Sequence, residues 1–189
     1  MAEKLIPLED AQSIVLLHVA PTNLVEIPVW QAAGFPLAED AVADIDISPF
    51  ANSAMDGYAV RSADLAQASG ETPVTLDVIG HEAAGHVFEG ALGPGETVRI
   101  MTGAPVPEGA DAVVKYEIVE VLDGDGNEGS HVRFSAPAKV GENVRSAAEE
   151  AHAGDVVIHA GEVVAPAGAG LLASAGYASV KVHAAPRVG

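Results

Sequence analysis

Asp56 is the residue of this chain best placed to do chemistry. It follows a lead-in at Pro49 and Phe50 and a run of small residues, Ala51, Asn52, Ser53 and Ala54. It sits in Met55-Asp56-Gly57-Tyr58, where Asp-Gly is a turn signal because Gly tolerates positive φ and Asp bonds its own backbone. Tyr58, Ala59 and Val60 then read as a strand. Such a turn at the mouth of a strand presents a carboxylate to a ligand or a metal ion. Simple turn closure is the competing reading, and Asp is common in that role. A second tight loop, Met101 to Pro107, offers the hydroxyl of Thr102 to a phosphate or an ion. A third stretch, Asn143-Val144-Arg145 followed by Glu149-Glu150, supplies a cation and two more carboxylates. Arg145 can grip phosphate in a two-pronged fashion, or simply pair with Glu142 or Glu149.

Composition limits what these groups can serve. The 189 residues carry a formal net charge of −18, which argues against binding a nucleic-acid backbone. A phosphate-bearing substrate would need a bound cation or basic groups from elsewhere. The chain has no cysteine, which excludes disulfides and thiolate metal sites. The first residues lack a basic start followed by an apolar run, and no stretch reaches the ~20 apolar residues of a membrane span. A cytoplasmic protein is the default expectation. One Trp and three Tyr leave few stacking platforms for a carbohydrate-binding module.

The elements that must carry these residues are mostly strands. Pro7 to Val19 predicts a first helix, with Pro7 in the first turn, Glu9 and Asp10 at its positive end and His18 on the apolar stripe as a core or boundary residue. Strands are predicted at Leu24–Val29, Leu37–Ile47, Val74–Ile79 and Thr97–Met101. Pro36 must stand at a strand start or edge. Val113–Leu122 predicts one long strand that returns as His131–Ser135 through a hairpin tip at Asp123-Gly124-Asp125-Gly126-Asn127. That tip lacks the twelfth-position Glu and flanking helices of a calcium loop. His81 and His86, five apart, share neither a strand face nor a helix face, which disfavours a zinc pair. Short strands at Val156–Ile158 and Glu162–Ala165 precede a second helix opened by Pro166 and stopped by Gly176, and Tyr177–Val182 is a last strand. With helices near the ends and strands between, the expected class is α+β and β-rich. The two chain ends, 1–46 and 144–189, would form an elongated α/β subdomain I, and 47–143 an inserted, mostly-β, barrel-like subdomain II.

The run Ser48 to Arg61 resembles a signature of the MoeA family, the molybdopterin molybdenumtransferases, to which the gephyrin E domain is related. Met101-Thr102-Gly103-Ala104-Pro105-Val106-Pro107 with Gly109-Ala110-Asp111-Ala112-Val113-Val114 resembles a second family motif. Asn143-Val144-Arg145 is similar to a third, with Ala148 where the family has Gly and Glu150 where it has Asp. Gly34-Phe35-Pro36 departs from the family's Gly-Arg-Val. The resemblance implies two N-terminal subdomains of an enzyme that inserts molybdate into adenylylated molybdopterin and releases AMP. It implies catalytic roles for Asp56, Thr102 and Glu150, substrate contacts from Ser53 and Arg145, and Mg²⁺ on Asp56 and Glu150. It also implies a homodimer and further C-terminal domains beyond Pro186-Arg187-Val188, so that this stretch alone would be inactive. A non-catalytic scaffold related to the gephyrin E domain is the alternative, since a Glu is one methylene longer than Asp and Ala takes positive φ at a cost.

Overall fold

A computed structural model of the chain describes residues 5–83 and 85–187. In chain order its elements are α1 (Leu8–His18), β1 (Leu24–Pro28), β2 (Ala41–Val42), β3 (Asn52–Ser53), β4 (Gly57–Val60), β5 (Val74–Glu82), β6 (Glu96–Ile100), β7 (Ala112–Lys115), β8 (Glu120–Val121), β9 (His131–Phe134), β10 (Val144–Arg145), β11 (Val156–Ile158), α2 (Pro166–Ser174) and β12 (Ser179–His183). Short 3-10 turns occur at Val29–Gln31, Ser62–Leu65 and Tyr116–Ile118. The chain divides into two compact units, Met1–Ile45 with Ala153–Gly189, and Asp46–His152. Residues 144–152 go with the second unit because β10 pairs with β3 and Ala151 bridges to Ile47.

In the first unit β1 and β12 run antiparallel from Leu24 opposite His183 to Pro28 opposite Ser179, and β2 pairs with β11. Leu37, Ala41, Val164, Leu172, Val180 and Val182 are among the residues of its apolar core. Pro166 starts α2 where its missing N–H costs nothing, and Gly176, at φ 100°, ends it. The helix α1 forms as its sequence predicts, but none of its residues is buried. His18 is exposed and its Nδ1 bonds the Ile14 carbonyl at 2.7 Å, so the expected core position is corrected to a solvent-facing one.

The second unit is built on a curled, half-barrel sheet of six strands in the order β7-β4-β6-β5-β9-β8. All neighbours are antiparallel except β5 and β6. One face packs Tyr58, Val60, Leu65, Leu76, Val78, Val132 and Phe134, and the other Ala59, Leu92, Val98, Ile100 and Val113. The β5–β6 crossover folds Phe88 between Gly80 and Gly90, where a Cβ on either glycine would lie 2.4 Å from the ring. Only the missing side chains leave room for it.

Three predicted strands are shortened. The run 113–122 is broken at Tyr116–Ile118 because β7 pairs with β4 whereas β8 pairs with β9, and the chain must turn to change partner. The run 37–47 keeps only β2 and single bridges at Leu37 and Ile47, and 162–165 keeps only the bridge between Val163 and Pro36. Pro36, lacking an N–H, thus sits where one isolated bridge is all the ladder requires.

Candidate functional site

Residues 47–54 form a ribbon with a neighbour on each side. Along one side, Ser53 N donates to Ala104 O at 3.0 Å, Gly103 N to Ser53 O at 2.8 Å, and Val106 N to Ala51 O at 2.9 Å. Along the other, Val144 lies opposite Ser53 and Arg145 opposite Asn52. There Ala148 N donates to Ser48 O at 2.8 Å and Glu150 N to Ile47 O at 3.0 Å. The three sequence stretches that carry the candidate residues are therefore joined through their backbones.

Asp56 emerges from this ribbon just before β4. Its Oδ1 accepts from both Thr102 N and Thr102 Oγ1, each at 2.8 Å. These two bonds, the backbone one first, hold its carboxyl below the usual carboxylate range, and the positive charge of Arg99 adds to the effect. Both side chains are exposed, and Oδ2 has no protein donor among the described residues. The Asp56 carbonyl accepts from Tyr116 N at 3.1 Å, which pins the turn from behind. Gly57 follows because nothing larger fits: a Cβ there would lie 2.1 Å from Val114 O.

Ser53 is fully buried, and its hydroxyl donates to Met55 O at 2.5 Å while accepting from Met55 N at 3.2 Å. It closes the small turn that leads to Asp56. Arg145 is exposed and makes no ion pair with Glu142 or Glu149 among the described residues. Glu150 is also exposed and is carried at the Ile47 end of the ribbon. Ala148 takes φ 56° and Asn143 φ 55°, so the third loop keeps left-handed conformations without glycine at either place. Asn143 is anchored by its Nδ2 donating to Val113 O at 2.8 Å.

Asp111 and Gly109 of the second motif have structural work. The Asp111 carboxylate accepts from Ser62 N at 2.6 Å and Ser62 Oγ at 2.7 Å, and Gly109, at φ 88°, approaches Leu92 O where a Cβ would stand at 2.7 Å. Among the described residues no group of three or more His, Cys, Asp or Glu is arranged to hold a metal ion. Mg²⁺, however, is often held by one or two carboxylates with waters and substrate phosphates. A single exposed carboxylate with a free oxygen fits that pattern.

Sequence reasoning passed over Arg99. Its guanidinium carbon lies 4.0 Å from the Tyr116 ring centroid and 5.3 Å from that of Tyr58, and Nη1 reaches Tyr58 Oη at 3.4 Å. The signal available was period-two alternation: Val98 and Ile100 are buried apolar residues, which leaves Arg99 on the opposite face.

The family model described as "MoeA N-terminal region (domain I and II)" matches residues 6–176. The molybdopterin molybdenumtransferase of Bacillus subtilis is 45% identical over 153 residues, covering 81% of this chain and 35% of that protein. The Haemophilus influenzae molybdopterin molybdenumtransferase is 39% identical over 186 residues, covering 98% of this chain and 44% of that protein. The solved structure of the molybdopterin biosynthesis MoeA protein from Pyrococcus horikoshii OT3 superposes with a TM-score of 0.84 at 31% identity, over 95% of this chain and 46% of that one. The chain thus spans less than half the length of these relatives. With two motifs joined to a third around Asp56, and a family match over most of its length, the chain belongs to the MoeA family and corresponds to its N-terminal region.

Proposed function

We propose that this chain is the N-terminal part of an enzyme that inserts molybdate into adenylylated molybdopterin and releases AMP. The observation that carries the reading is the double hydrogen bond from Thr102 to Asp56, at the seam where the motifs meet. It keeps Asp56 ionised and fixes one oxygen, so that the other can face a ligand. In this reading Mg²⁺ binds Asp56 Oδ2 with waters and substrate phosphate oxygens, and Glu150, at the Ile47 end of the ribbon, acts apart from that ion. The ion would offset the charge of the phosphoanhydride and polarise it. Arg145, which has no ion pair among the described residues, contacts substrate phosphate. Ser53 acts through the turn that aims Asp56.

The rest of the site belongs to further domains and to a second copy of the protein in a homodimer working in the cytoplasm. Leu8, Ile14, Val15, Leu16 and Leu17 of α1 are all exposed, and an apolar face of that extent supports docking of this kind. Against the scaffold reading, Ala148 keeps a positive φ of 56° although it is not glycine, which supports a retained third loop.

Asp56→Asn in the full-length enzyme tests the assignment. Molybdate-dependent AMP release should fall at least about 100-fold, as loss of a metal-bearing or proton-handling carboxylate does. Unchanged release would remove Asp56 from the chemistry. Purified residues 1–189 should release no AMP, and measurable release would refute the division of labour.

A further inference from the structure

We propose that Glu82 is a positioning residue, which holds the two walls of a groove beside Thr102 at the spacing that admits substrate. Glu82 ends β5. Gly80 and Glu82 stand opposite Val98 and Ile100 of β6, so the Glu82 side chain points to the face that packs Ala59, Leu92, Val98, Ile100 and Val113. There it is 1% exposed. Its Oε1 accepts from Phe88 N at 2.8 Å, and no donor among the described residues reaches Oε2. A carboxyl group buried on one hydrogen bond costs free energy that an apolar side chain at the same place would not. Packing alone does not call for such a group, and the bonds that leave Glu82 show what it does.

On one side is a strap. Beyond Glu82 the chain leaves the sheet and reverses, with His86 N donating to Ala83 O at 2.9 Å. Gly85, His86, Val87, Glu89, Gly90 and Ala91 are exposed. Phe88 pins the strap, since its ring fills the space over Gly80 and Gly90, and the bond from Phe88 N to Glu82 ties that pin to the end of β5. On the other side Met101 N donates to Glu82 O at 3.1 Å, and the next residue is Thr102, whose N–H and hydroxyl both bond Asp56. Between strap and loop lies a groove of about 400 Å³, lined by Ala83, His86 and Val87 from the first and by Met101, Thr102 and Pro105 from the second. One residue therefore grips both walls. The side chain of Glu82 sets where the strap lies, and its main chain sets where Thr102 begins. The occupant is the substrate whose phosphate meets Asp56. That identification rests on the function proposed above; the tie between Glu82 and the strap does not.

Amide hydrogen exchange of the 189-residue chain, followed by nuclear magnetic resonance, reads the tie directly. Glu82→Leu fills the core but offers Phe88 N no acceptor, and should speed exchange at Phe88 about tenfold or more. Glu82→Gln keeps an acceptor and should bring that rate back to within about threefold of the unaltered chain. The Leu122 amide, bonded to His131 O at 2.9 Å at the far edge of the same sheet, should keep its rate in both variants, which a general loss of stability would not allow. In the full-length enzyme Glu82→Leu should raise KM for adenylylated molybdopterin about fivefold while kcat changes less than about twofold, and Glu82→Gln should recover KM. Val87 is 62% exposed, so Val87→Asp folds even if Glu82→Leu does not. By placing a negative charge in the groove it should raise KM about tenfold. The inference is overturned if Phe88 exchanges in Glu82→Leu as in the unaltered chain, if the Gln and Leu variants behave alike, or if either a folded Glu82→Leu enzyme or Val87→Asp leaves KM unchanged. Failure of the unaltered full-length enzyme to release AMP would count against the proposed function alone, and the exchange rates would still test the tie.

Discussion

Gly57→Ala would separate packing from chemistry at the centre of this site. A Cβ on Gly57 would meet Val114 O at 2.1 Å, Val114 C at 2.9 Å and Lys115 Cα at 3.2 Å. All three are main-chain atoms, so no rotamer change relieves the clash. The strand β4 must move by about 1 Å to reach ordinary contact distance, against a register that ties Gly57 to Lys115 and Ile100 at once. Overpacking of a filled interior costs about 1–3 kcal/mol, and an unyielding backbone puts this change near 3 kcal/mol. For a unit of this size that corresponds to a fall in melting temperature of roughly 10–20 °C. Circular dichroism would follow the melting. Gly70→Ala is the matched control, because Gly70 has open space around its Cβ position and an ordinary φ. The control should melt within about 2 °C of the unaltered chain. If Gly57→Ala melts with the control, the account of why glycine must follow Asp56 is wrong.

Thr102→Val removes one of two donors to Asp56 Oδ1 and should raise the carboxyl pKa, read from its carbon resonance as a function of pH. The sign follows from linkage: a carboxyl lowered on folding adds stability above its ordinary value of 3.8 and loses it as pH falls through the lower folded value. The variant should therefore show less acid-dependent loss of stability below about pH 4. Tyr58→Phe deletes the buried bond from Tyr58 Oη to Gly126 O at 2.9 Å and should cost about 1–2 kcal/mol in urea unfolding; a change under about 0.3 kcal/mol would mean the tip makes good the loss. Ala148→Gly should stabilise by about 0.5 kcal/mol, because relief of the left-handed φ of 56° outweighs the extra freedom Gly brings to the unfolded chain; destabilisation would place the cause of that φ in the Ala side chain.

Much of this was legible in the chain itself. Helix ends announced themselves through Pro7 and Pro166 at their starts and Gly176 at a stop. The loop at Thr102 followed from Gly103, at φ 83°, and its meeting with Asp56 from the motif resemblance, but Gly57 stands in a strand without a positive φ and is required by the close approach of Val114 O instead. What stayed hidden depends on partners. The strand-like run from Val113 to Leu122 has no Gly or Pro to mark a break, and so gives no local sign that its two ends belong to different neighbours. The stripe on α1 gives no sign that nothing in the described chain covers it. Arg99 escaped notice because its meaning lies in Tyr116, a residue of the 3-10 turn that follows β7. His81 and His86 were set aside on spacing along a regular element, yet a reversal of the chain between them brings the rings into contact.

The doubly bonded ribbon at residues 47–54 has a consequence for how such a chain can change. Deleting one residue between Ile47 and Ser53 would slip the pairing on both flanks together and turn outward groups inward along each. Substitutions there can be absorbed singly, but a change of length cannot be compensated by adjusting one flank. Spacing in this stretch is therefore held more tightly than residue identity, and a library that varies its length should yield far fewer folded members than one that varies its letters.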